Sequence, residues 1–149
     1  MSNSIISETQ IRLFLQDLPQ YNSLLDGVRF SPEMIEQASI MTVSAYNELM
    51  PPSPIIYSVE SFPYLITLLF GTCGYLLRSG GLQQASNSLS YSSDNVTIND
   101  DDKAQIFTEL GKELWGEFKE MAQAQKTSAN LASCYGNVSS EWAQRAFVV

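Results

Sequence analysis

Histidine is absent from this chain of 149 residues. Its absence removes the side chain that most often serves as general base and as neutral metal ligand near neutral pH. Cysteine is scarce: Cys73 and Cys134 lie 61 residues apart, in no spacing that suits a metal. Cys73 falls within an apolar run and reads as a small buried hydrophobe. A disulfide to Cys134 stays open as an alternative, although nothing else points to an oxidising compartment. Charged residues make up only 16% of the chain, and basic ones are the rarer kind, 8 against 16 acidic, for a net charge of −8. A protein that grips nucleic acid through phosphates needs a basic stripe, so that class is disfavoured. An acidic balance keeps a protein soluble, and it also makes a surface that DNA passes without adhering, because like charges repel.

Motifs that carry chemistry are lacking too. The opening MSNSIISETQ has neither a basic n-region nor an apolar h-region, so no signal peptide is expected. The glycosylation matches at Asn95-Val96-Thr97 and Asn137-Val138-Ser139 then read as chance. Gly71-Thr72-Cys73-Gly74 and Gly80-Gly81 have no following GK[ST] and no strand–turn–helix context, so they are not phosphate loops. Gly71 and Gly74 are better read as places where another backbone approaches a helix closely. The serines lack both a histidine partner and a G-x-S-x-G pattern. Asp100, Asp101 and Asp102 point about 100° apart if helical, so they suit a helix start rather than one ion. Glu109, Glu113, Glu117 and Glu120, with Lys103, Lys112 and Lys119 nearby, read as a solvated helix face. No enzyme, cofactor or metal is expected.

What the chain does have is apolar surface. Hydrophobic residues make up 44%, enough for one domain with a real core. The stretch Phe62 to Leu77, FPYLITLLFGTCGYLL, is uncharged for sixteen residues. A membrane-spanning helix needs ~20 apolar residues. This run stops at Arg78, follows Glu60, contains Pro63 and has no flanking basic cluster, so a buried helix is the better reading.

The pattern predicts an all-α, four-helix bundle. The first helix spans about Glu8 to Leu18, with Ser7 as N-cap, an Ile11, Phe14, Leu15 and Leu18 face, and Pro19 at its end. The second opens with Ser31, Pro32 and Glu33 and carries Ile35, Ala38, Met41 or Thr42, Ala45 and Leu49 on one face, until Pro51-Pro52 stops it. The third starts near Glu60 or Ser61, continues to about Tyr91 through Leu82, Ala85 and Leu89, and bends at Gly80-Gly81. A short β-like connection near residues 92 to 98 includes Val96 and Ile98. The fourth opens at Asn99 or Asp100 with the stripe Ile106, Leu110, Leu114, Phe118 and Met121, flanked by Phe107 and Trp115, and persists through the Ala-rich run to 132. A short link between two long helices favours an antiparallel hairpin. The bundle domain is placed at 1–133. The remaining 134–149 reads as an extended C-terminal arm whose Trp142, Phe147, Val148 and Val149 have no helical core to join.

The order LLDGVRFSPEMIEQA, AYNELMPP, SFPYLITLLFGTCGYLLRSGG, SYSSDNVTINDDDKA and LWGEFKEMAQAQKTSANLASCYGNVSSEW resembles the neck, or head–tail adaptor, proteins of tailed bacteriophages. The resemblance covers roughly residues 24 to 142, and its most specific piece is the final YG-x-V-S-S-E-W. It implies a virion structural protein without chemistry, found at the head–tail interface and, during assembly, in the host cytoplasm. Such proteins form a closed cyclic ring of about twelve copies beneath the portal, extend the DNA channel and join capsid to tail. The implied partners are the portal protein and a downstream neck or tail protein, with viral DNA passing through unbound and no membrane involved. Phe62, Tyr64, Leu68 and Tyr75 are the expected packing residues, some of them between subunits. Tyr135, Trp142, Phe147, Val148 and Val149 are the expected partner-docking residues. Two other classes stay open: a small non-viral α-helical interaction protein and a membrane-associated helical protein.

Overall fold

Ser7 and Ser31 open the first two helices by capping. A computed structural model describes residues 6–22, 27–86, 91–93, 96–98 and 101–135. In α1 (Glu8–Leu15) the Ser7 hydroxyl accepts from the Gln10 N–H, and Gln10 Oε1 accepts from the Ser7 N–H at 2.9 Å. This reciprocal box satisfies donors that a helix start otherwise leaves free. The helix ends at Leu15, short of the expected Leu18, because Gln16 turns left-handed (φ 55°) and its N–H closes on Arg12 and Leu13. The stop is therefore an αL cap rather than Pro19.

In α2 (Pro32–Glu48) the Ser31 hydroxyl accepts from the Met34 N–H and Pro32 occupies the first turn, as its sequence requires. Its buried face is Ile35, Ala38, Thr42 and Tyr46, with Ser39 and Val43 beside them. Met41 points outward, 46% exposed, so Thr42 takes the inward position. The turn at 58–61, closed by Ser61 N–H on the Ser58 carbonyl, delays α3 (Leu65–Ser86) past the expected Glu60 or Ser61 start. Pro63 thus precedes the helix. Tyr91 does not extend α3; it begins β1 (Tyr91–Ser93), which pairs antiparallel with β2 (Val96–Ile98), Tyr91 opposite Ile98. The helix α4 (Asp101–Tyr135) is the longest element at 35 residues, and the boundary expected at residue 133 falls inside it. The fold is all-α, with four helices and this one short ribbon among the described residues.

By length and composition α3 would suit a membrane span, yet more than half of its apolar stretch is buried within the fold. Its largest interface is with α4. Contacts along the two run in opposite order: Thr67 meets Gln125, Gly71 meets Phe118, Gly74 meets Gly111 and Trp115, and Gly81 meets Ala104 and Thr108. A Cβ on Gly74 would lie 2.9 Å from the Trp115 backbone nitrogen and 3.1 Å from the Gly111 oxygen. At Gly74 a backbone does approach closely. Gly71 instead makes room for side chains, the Thr42 methyl and the Phe118 ring.

This close approach overturns the expected inward stripe of α4. Ile106 and Leu110 are 52% and 45% exposed, and Leu114 and Met121 are half-buried. The buried positions are Ala104, Gly111, Phe118, Ala122 and Lys126, with half-buried Thr108 and Trp115 filling the four–three spacing. Small residues win the interface because two backbones in near contact leave no space for branched chains. Phe118 alone of the five expected stripe residues is fully inside.

The glycines give opposite expectations for one substitution. Alanine in an open helix is worth about 0.5–1 kcal/mol over glycine. Gly116, with nothing within 4 Å of a built Cβ, is expected to gain that much as Gly116→Ala. Gly74→Ala is expected to lose about 1–3 kcal/mol by overpacking. Urea midpoints of both variants check the pair; a gain at Gly74 would contradict the close packing.

Two core clusters result. Ile11, Phe30, Ile35, Ala38, Cys73 and Leu76 join α1, α2 and α3. Val43, Tyr46, Phe62, Leu68, Phe118 and Ala122 join α2, α3 and α4.

Candidate functional site

The four residues expected to pack, or to lie between subunits, differ in burial. Phe62 and Leu68 are buried, and Tyr64 is half-buried. Phe62 is the hub of an aromatic cluster, edge-on to Tyr46 at 4.8 Å, to Tyr57 at 5.7 Å and to Tyr64 at 5.8 Å. Edge-to-face pairs of this kind add to area burial. Burial, with Tyr64 close by, raises the pKa of both Tyr46 and Tyr57, which keeps their hydroxyls neutral. Tyr75 stands apart on the surface, 36% exposed. Tyr135 is the last residue of α4. Trp142, Phe147, Val148 and Val149 lie outside the described residues, as do Leu89, Asn95 and Asp100.

Polar residues that the sequence reading did not single out hold this region together. Lys126, buried on α4, donates through Nζ to the carbonyls of Asn47 (3.2 Å) and Leu49 (2.5 Å). It thereby caps the carbonyl end of α2, where the helix dipole favours a cation. The same ammonium lies 5.0 Å from the Tyr46 ring centre, and desolvation lowers its pKa. Asn47 binds the Tyr57 backbone in both directions, at 2.8 and 3.0 Å, and Asn130 donates to the Pro52 carbonyl. The segment between α2 and α3 is pinned by these bonds.

A second hub is Asp17. It is buried and accepts from the Arg29 N–H (2.7 Å), the Phe30 N–H (3.0 Å), Asn22 Nδ2 (2.8 Å) and Arg12 Nη1 (3.1 Å). Burial alone would raise its pKa, but the two backbone N–H groups, Asn22 and the Arg12 charge together bring it below the usual carboxylate range. Arg12 also donates through Nε to Glu8 at 2.7 Å.

Among the concave surfaces of the described residues, two are notably apolar. One, about 360 Å³, is lined by Phe14 and Leu15 of α1, Leu77 of α3, and Phe107, Leu110 and Leu114 of α4, with Glu113 and Glu117 at its edge. Phe14 is 43% exposed there, and Ile106 stands nearby on α4. The other, about 690 Å³, has a floor of Ile6, Ile11, Ile35, Ile40 and Val59. Glu8, Glu33, Glu36 and Glu60 surround it. Both are shapes for binding apolar side chains. Cys73 is buried, its thiol pKa pushed up to about 12 by burial, and Cys134 is exposed; both are free, which closes the disulfide alternative. Glu109, Glu113, Glu117 and Glu120 are exposed along α4, and among the described residues no group of three potential ligands could hold a metal. Comparison with protein families, with curated proteins and with solved structures finds no match to this chain.

Proposed function

We propose that this chain is a structural subunit of the head–tail connector of a tailed bacteriophage. It forms a ring of about twelve copies under the portal, extends the DNA channel and joins capsid to tail. The subunit is a four-helix bundle with α3 and α4 as its long antiparallel hairpin, and the residues that follow α4 serve as an arm for the portal or a neck neighbour. The observation that carries this reading, beside the sequence resemblance, is the uncovered apolar face on α1 and α4. Phe14 and Leu110, each more than 40% exposed, line one groove, and Ile106, 52% exposed, lies one helical turn from Leu110 on α4. Fully burying one such side chain contributes about 1.5–3 kcal/mol, so a neighbouring copy seated there gains a substantial driving force. A ring built from heterologous contacts sets one face of each copy against a different face of the next. The net charge of −8 suits a channel that releases DNA.

Quantitative mass spectrometry of virions from a phage encoding this chain tests the proposal. The protein is expected at about the portal's copy number. The double variant Ile106→Asp, Leu110→Asp is expected to stay helical by circular dichroism and to be lost from particles. Absence of the unaltered chain from virions would overturn the reading in favour of a small helical interaction protein.

A further inference from the structure

The larger groove, floored by Ile6, Ile11, Ile35 and Ile40, shares no lining residue with the α1/α3/α4 groove assigned to the ring contact. It is the more acidic of the two. Four carboxylates line it, those of Glu8, Glu33, Glu36 and Glu60, and among the described residues no lysine or arginine does. Arg12, one turn from Glu8, is itself buried and divides its guanidinium between Glu8 and Asp17. Glu33, Glu36 and Glu60 are exposed at the rim, while Ile40 is 40% exposed and the floor beneath it is apolar.

We propose that this groove docks a cationic amphipathic segment of a partner protein, its apolar side chains on the isoleucine floor and its lysines or arginines against the carboxylate rim. Charge selects this occupant. A second copy of a chain with 16 acidic and 8 basic residues would bring like charge toward four carboxylates here, twice the number at the smaller groove. Nucleic acid and anionic lipid would be repelled for the same reason. An uncharged apolar helix would fill the floor and leave the rim unused. The paired features, an apolar floor and a one-sign rim, are those by which grooves read amphipathic helices.

The test is fluorescence anisotropy on the full chain with a labelled amphipathic helical peptide of leucine and lysine. A leucine and glutamate peptide of the same pattern is the comparison. The leucine–lysine peptide is expected to bind, and the other to show no binding. Glu36→Gln with Glu60→Gln is expected to weaken binding about three- to tenfold at low salt. Glu109→Gln with Glu120→Gln, an equal change of charge on the exposed face of α4, is expected to leave it within about twofold. Ile40→Ser is expected to weaken it as well, through the floor. Equal loss in both glutamine pairs would reduce the effect to general charge attraction and overturn the proposal. So would binding of both peptides, binding of neither, or an unchanged affinity in Ile40→Ser. The ring reading is tested separately, since Glu36, Glu60 and Ile40 lie outside the groove it uses.

Discussion

Asp17→Ala is expected to destabilise the fold by about 2–4 kcal/mol, because buried Arg12 keeps only the half-exposed Glu8 as its partner and buried donors lose their acceptor. The backbone N–H groups of Arg29 and Phe30 lose their acceptor in the same step. Those bonds tie the end of α1 to the loop that carries Phe30 into the first core cluster, so the loss reaches the packing as well. The effect has a defined pH dependence. The folded-state pKa of Asp17 lies below its unfolded value of about 3.9, so its stabilisation is complete above that unfolded value. It is lost as pH falls through the folded value, where the native carboxylate must also protonate. Denaturant melts of the native chain and of Asp17→Ala are therefore expected to differ most near neutral pH and to converge in acid. A gap that stayed constant down to low pH would show that the Asp17 charge is not its source.

Phe118→Ala is expected to lose about 3–5 kcal/mol, the range for emptying a large aromatic site in a packed core. Phe118 is fully buried, its ring 4.8 Å from that of Trp115 and against the bare backbone of Gly71. Leu110→Ala, on the same helix but 45% exposed, is expected to cost less than about 1 kcal/mol. Guanidinium melts of the two variants decide which face of α4 is inside. Equal losses would mean that α4 is turned toward the stripe read from hydrophobicity.

That stripe shows where sequence reading succeeds and fails. The starts of α1 and α2 are legible because caps are local: Ser7 and Ser31 each satisfy a donor three residues away, whereas α3, without such a cap, starts at Leu65 rather than near Glu60. The end of α1 is less so, since Gln16 in a left-handed turn has none of the glycine signal that usually marks one. On α4 the apolar periodicity favours Ile106 and Leu110. The fold buries Ala104 and Gly111 instead, because the α3 glycines allow an approach that only small residues can match. Hydrophobicity ranks side chains by transfer to oil, whereas a tight helix pair selects them by volume. Of the candidate site residues, Phe62 and Leu68 can be read as packing from their apolar run. Lys126 and Asp17 cannot, since a polar residue looks solvated until distant segments bring it partners.

The all-α class, the serine caps, the apolar identity of α3 and the acidic balance follow from the amino-acid order alone, because each rests on composition or on neighbours within a helical turn. Three features come from the packed fold instead: which face of α4 is inside, that Lys126 closes the end of α2, and that apolar grooves edged by carboxylates stay open. They depend on how closely separate segments approach and on which side chains that distance admits, and no local pattern encodes that distance.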